Sequence, residues 1–188
     1  MKSLHSFIPP LAVLLLAAGG GAAAQGVLID RSEIRFFAKQ AGAGVEGRFR
    51  KWKANVDFRP KDLAKSKADF DVELASIDLA SEEIETELRG PLWFDTAKHP
   101  VAKFRSTAIR NLTSDRYEIA GTLAMKGITK AVAMPVTLRK DPAGNSVAEG
   151  QLALQRLDFK VGEGLWADLG TVADEVLIRV RMVLPPLE

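Results

Sequence analysis

The chain has no cysteine. That excludes disulfide staples, thiolate metal ligands, a cysteine nucleophile and a lipid anchor attached through an N-terminal cysteine. Histidine is almost as scarce. His5 lies in the first few residues, and only His99 falls further along. A Ser-His-Asp triad would have to use His99, which precedes Pro100 and so sits on extended backbone at a strand entry. A polar residue on a loop is the expected reading. Charge of one sign is lacking as well. With 26 basic and 24 acidic residues and no basic block, the chain carries no electrostatic footprint for nucleic acid.

Long apolar runs are missing except at the start, where "FIPPLAVLLLAAGGGAAA" follows Lys2 and His5. The run is too short for a span of about 20 residues, and Pro9, Pro10 and three glycines interrupt it. Its small residues Ala22, Ala23 and Ala24 predict a cleaved export signal over residues 1–24, with Gln25 as the mature start. Residues 25–188 then form one domain, which without disulfides must be held by its own core.

What fills the mature chain is alternation with period two. In "KADFDVELASI" the apolar Ala68, Phe70, Val72 and Leu74 alternate with charged Lys67, Asp69, Asp71 and Glu73, the pattern of a strand with one wet face. "RYEIAGTLAM" repeats it with Tyr117, Ile119, Leu123 and Met125. Val132, Met134, Val136 and Leu138 follow suit, as do Val176, Ile178, Val180 and Met182 opposite Arg179 and Arg181. Strands are predicted at 27–39, 45–51, 54–60, 67–78, 101–110, 116–126, 130–139, 147–160 and 174–184. The second and third join into one bent strand, because the apolar phase switches from odd (Val45, Phe49) to even (Val56, Phe58) around Trp52. The total expected is eight. The pattern fits an all-β sandwich or barrel. Tight turns at 127–130 and 142–145 favour an up-and-down barrel, whose closure also removes exposed edges.

One segment departs from the rule. From Ser81 to Leu92, four glutamates surround Ile84 and Leu88, with Ser81 as N-cap and Gly90-Pro91 as stop. A short amphipathic helix is expected, its glutamates forming a solvated face away from any lumen. No motif for a cofactor or a metal stands out. Aromatics are more suggestive, since Trp52, Trp93 and Trp166 all fall in or beside predicted connections, where they would rim an apolar mouth.

The ordered segments "LIDRSEIRF", "VDFRPKDL", "ASIDLAS", "ELRGPLWFDTAKHP", "KFRS", "GTLAMKGITKAV" and "LQRLDF" resemble the YceI-like family of exported bacterial proteins, over about residues 27–184. The resemblance implies an eight-stranded antiparallel, lipocalin-like barrel with one short helix. It also implies a periplasmic location and an elongated apolar lumen for polyisoprenoid, quinone-type or other long-chain lipid. Trp93-Phe94 stands where the family has paired aromatics. Glu87 replaces its usual His, Gly90 its usual Ser, and Ala124-Met125 its usual Thr-containing pair.

The expected function is therefore binding or carriage of an amphiphilic lipid, without covalent chemistry or cofactor. Phe36, Phe70, Val72, Phe104, Ile119, Leu123, Met134, Val136 and Ile178 are expected to point into the lumen, with Leu123 mid-strand and away from either mouth. Trp93, Phe94, Phe159 and Trp166 are expected to join them as ligand contacts. A dozen buried methylenes contribute roughly 10 kcal/mol gross, against association costs of about 4–15 kcal/mol, so only a long tail binds usefully. An accessory or enzymatic role in periplasmic quinone-linked redox chemistry is the alternative, and a plain structural barrel with a filled core is a third. A membrane-associated delivery partner and a homodimer are both compatible with the sequence.

Overall fold

A computed structural model describes residues 26–187. The expected export signal, residues 1–24, lies outside them. Ten strands form one antiparallel sheet: β1 (Glu33–Gln40), β2 (Ala43–Phe49), β3 (Trp52–Asp57), β4 (Lys67–Glu73), β5 (Ile77–Asp78), β6 (Val101–Asn111), β7 (Arg116–Met125), β8 (Ile128–Lys140), β9 (Ser146–Gln155) and β10 (Glu175–Leu184). The order is β3-β4-β6-β7-β8-β9-β10-β1-β2-β5.

The two ends of that order meet, and the sheet curls into a barrel. β2 runs into β3 across Arg50-Lys51, and β4 runs into β5 across the 3-10 turn Leu74–Ser76. The corner between these broken strands is stitched by Arg50 N–H to Ser76 O at 3.0 Å and Glu73 N–H to Lys51 O at 3.0 Å. Ten hydrogen-bonded strands thus make eight staves. The bend between β2 and β3 was expected from its phase switch. That between β4 and β5 was not, although the apolar phase changes from Leu74 to Ile77 in the same way. On the β5 side, Asp78 accepts from Arg48 Nε at 2.7 Å and Arg50 Nη2 at 2.5 Å.

Two of the hairpin turns are two-residue loops with positive φ at both positions: Ala41-Gly42 (47° and 79°) and Lys126-Gly127 (48° and 76°). That geometry matches the twist of paired strands. The second turn starts one residue before the predicted one and shares Gly127 with it, while Ile128 to Lys130 belong to β8. Residues 27–32, expected as strand, instead include a 3-10 turn, and β9 ends at Gln155 rather than at Lys160. A bulge in β6 between Ser106 and Ala108 frees the Ser106 side chain, whose Oγ accepts from Ala68 N–H at 2.9 Å.

Among the described residues there is one α-helix, α1 (Glu82–Arg89), which begins at Ser81, whose hydroxyl accepts from Ile84 N–H, and ends at Gly90. It carries acids in its first turn, where the helix dipole favours them. Together with the segment 156–173 it covers one end of the barrel. The other end is filled by a packed cluster that includes Val56, Phe58, Ile109, Tyr117 and Leu184.

Candidate functional site

Between that packed end and α1 lies a cavity of about 870 Å³. The alternation of the strands places its walls. β4 contributes Phe70 and Val72, β6 contributes Ala102 and Phe104, and β7 contributes Leu123 and Met125. β9 adds Leu152 and Leu154, and β10 adds Val176, Ile178 and Val180. From β1 come Ile34 and Phe36, with Phe36 tilted against Phe49 at a ring separation of 5.7 Å. Phe94 meets Phe49 edge-on at 6.3 Å, so the paired aromatics of the helix-to-strand connection close one side.

Of the residues expected to contact a ligand, Phe36, Phe70, Val72, Trp93, Phe94, Phe104, Leu123, Met134, Trp166 and Ile178 line this cavity. Ile119 and Val136 face inward too, but into a separate void of about 60 Å³ beneath it. Phe159 lines neither. It is packed with Trp93, Val161 and Val172 under the segment that follows β9, because that strand ends at Gln155 and the inward phase is lost. Leu123 lies third from the end of β7 and packs towards Trp93 and Phe159, so it stands in the upper lumen rather than mid-barrel.

The mouth is polar where the walls are not. Glu82, Glu83, Thr86 and Glu87 border it from α1, and Lys39 and Gln40 from the end of β1. The expectation that the helix glutamates stand apart from the lumen is thereby corrected for Glu82, Glu83 and Glu87, which are exposed and at its rim together, whereas Glu85 pairs with Arg89 and accepts from Leu79 N–H. Glu87 accepts from Trp166 Nε1 at 2.9 Å, latching α1 to the covering segment. Trp166 in turn lies 5.5 Å from Trp93, ring to ring. Trp93 Nε1 itself is buried without an acceptor among the described residues, at a cost of about 1–3 kcal/mol.

Arg156, also on the lining, anchors that segment. It is 3% exposed, and all five of its N–H groups donate to carbonyl oxygens: Ala173 (3.0 Å), Val161 (2.9 Å), Gly162 (2.8 Å), Trp166 (2.6 Å) and Val172 (2.8 Å). Its guanidinium carbon sits 5.7 Å from the Trp93 ring centroid. Burial pushes its pKa below the ordinary arginine value, and nearby Asp174 opposes the shift. His99 does not line the cavity. It packs beside Gly127, and its backbone N–H donates to Asp95 O at 2.8 Å. Among the described residues no three of His, Cys, Asp and Glu gather as a metal site.

Sequence reasoning missed Leu152 and Leu154, which do alternate, and Phe49 and Leu79, which fall beside the corner where alternation breaks. The Glu87 latch and the Arg156 anchor depend on tertiary approach across 79 residues in the first case and on loop carbonyls in the second. No local pattern marks either.

Known proteins resemble this chain in sequence and in shape. The YceI-like domain family matches residues 28–184. A UPF0312 protein of Azotobacter vinelandii is 32% identical over 135 residues, covering 69% of this chain and 68% of its own length. Protein YceI of Escherichia coli O157:H7 is 30% identical over 137 residues, with 69% and 68% covered. The crystal structure of BcnA from Burkholderia cenocepacia superposes with a TM-score of 0.80 at 34% identity, covering 84% of this chain and 99% of BcnA. A polyisoprenoid binding domain from Saccharophagus degradans, implicated in plant cell wall breakdown, shares the fold at a TM-score of 0.70. It is 13% identical, with 88% and 99% covered.

Proposed function

The chain belongs to the YceI-like domain family, and from that premise we propose that it binds and carries a long-chain amphiphilic lipid, polyisoprenoid, quinone-type or fatty acyl, in the barrel lumen. The observation that carries this reading is the cavity of about 870 Å³, walled by aliphatic and aromatic side chains and rimmed by polar ones. Such a space rewards an extended apolar tail, while the Glu, Thr, Lys and Gln side chains of the mouth remain beside a headgroup in water. The fold shared with a polyisoprenoid binding domain supports the same ligand class. The protein acts by holding its ligand and not by catalysis, after export to the periplasm and cleavage between Ala24 and Gln25. N-terminal sequencing of the exported protein checks the last point, and an intact N-terminus would refute it.

The ligand is tested by mass spectrometry of organic extracts from natively purified protein. A co-purifying long-chain lipid is the expected result. Leu123→Lys places a charge on the upper lumen wall and should empty the protein, whereas Thr122→Lys, on the opposite face of β7, should leave the lipid bound. Circular dichroism checks that both variants fold. Equal lipid in both variants would remove the lumen as the site.

A further inference from the structure

The lumen does not run the length of the barrel. One layer of side chains divides the upper cavity from the small void beneath it. Phe70, Phe104, Met134 and Val180 line both spaces, so they form the floor of one and the ceiling of the other. This layer is built from large residues set against glycines. A Cβ on Gly121 would lie 2.6 Å from Phe104 Cζ, and one on Gly150 would lie 2.9 Å from Met134 Sδ and 3.0 Å from Val136 Cγ2. The glycines of β7 and β9 thus let the Phe104 ring and the Met134 side chain lie flat against the wall and reach across the lumen. Phe70 and Phe104 pair directly in register on β4 and β6, with rings 6.2 Å apart, and brace each other.

We infer that this floor is a ruler: Phe104 and Met134, seated on Gly121 and Gly150, set the longest hydrocarbon tail the protein accepts. The inference rests on the lipid-carrier reading and adds what selects among lipids. Below the floor the barrel is packed around a void of about 60 Å³, so a tail entering at α1 is stopped at that layer. Its polar end is held at the mouth by the cost of burying it. Tail length is then fixed between rim and floor. A tail one unit too long must leave that unit in water.

The size of the effect follows from volumes. Phe104→Ala removes roughly 100 Å³ of side chain, and joins to the lumen the void of about 60 Å³. At the packing density of organic matter a methylene takes up roughly 25–30 Å³, so the deepened lumen admits about five or six further carbons, one isoprene unit. Met134→Ala opens the same floor from β8 by somewhat less. Val45→Ala, which enlarges the lumen near its mouth, leaves the depth unchanged.

The test uses delipidated protein offered an equimolar ladder of all-trans prenyl alcohols from farnesol to solanesol and, in a parallel arm, a ladder of saturated fatty alcohols. The bound chains are read by native mass spectrometry. The expected result is a sharp upper limit for the parent protein, displaced by about one isoprene unit in Phe104→Ala and unmoved in Val45→Ala. Met134→Ala gives a second reading of the same displacement should Phe104→Ala fail to fold. An unchanged limit in folded, loaded floor variants overturns the ruler and leaves the carrier intact. A limit that moves equally in Val45→Ala also overturns it, since volume alone would then decide. If the parent protein takes up no chain from either ladder, the carrier reading itself falls, and the ruler with it.

Discussion

Arg156 gives its guanidinium to five loop carbonyls and, among the described residues, to no carboxylate within hydrogen-bond reach. Removing it would leave those carbonyls buried without a donor, and that loss outweighs the relief of desolvating one cation. Arg156→Met is therefore expected to destabilise the protein by about 3–5 kcal/mol, read as a lower urea midpoint at an unchanged m-value. Amides of residues 160–173 should lose hydrogen-exchange protection first. A midpoint close to that of the parent would contradict the anchoring role. The residue was visible in the sequence only as part of "LQRLDF", text that continues the preceding strand by eye. Phe159, expected as a ligand contact, lies past the end of the strand and packs under the covering segment instead. The strand's end is decided by where Arg156 finds its carbonyls, a tertiary fact that no run of neighbours encodes.

Among the elements, the broken pair β4–β5 meets β2–β3 at a corner where only two residues of β5 pair, Ile77 with Phe49 and Asp78 with Arg48. Side chains therefore reinforce the seam. Arg50 and Arg48 hold the Asp78 carboxyl at a pKa of about 2, below its ordinary value of 3.8. Asp141, at the turn between β8 and β9, is also held at about 2, chiefly by Asn145 and then by Arg31. Both groups have folded pKa values below their unfolded ones. Their contribution is thus complete above about pH 4 and disappears as the pH falls through about 2. Stability measured by urea titration across that window should fall, and Asp78→Asn should flatten part of the fall. An unaltered slope in Asp78→Asn would show that the seam does not depend on the charge. Most strands were legible because one face is wet: β7, β8 and β10 appear at their predicted places within a few residues. The corner was half legible, through the phase switch at Trp52. That at Leu74–Ser76 was not legible, because the stretch after it, Ile77–Asp78, is too short to show its new phase.

At the scale of the whole molecule, a lumen of about 870 Å³ without a ligand leaves its apolar walls facing water. Ligand binding and stability are therefore linked. A tail present at about a hundred times its Kd adds about 2.7 kcal/mol, which for a domain of this length corresponds to roughly 5–10 °C in the thermal midpoint. Delipidated protein should melt lower by that amount and recover on addition of the lipid. Identical midpoints would mean that the folded state gains nothing from a ligand. The barrel's closure has a further consequence, in time rather than energy. β1 pairs with β10, Glu33 opposite Arg181, so the first stave is sealed by the last. A growing chain can zip β6 to β9 hairpin by hairpin as they emerge, but β1 keeps a bare edge until β10 has been made. High contact order of this kind slows folding and prolongs the interval in which open edges can find the wrong partner. A chain stopped before Glu175 would remain in that interval indefinitely, an unsealed sheet and no barrel.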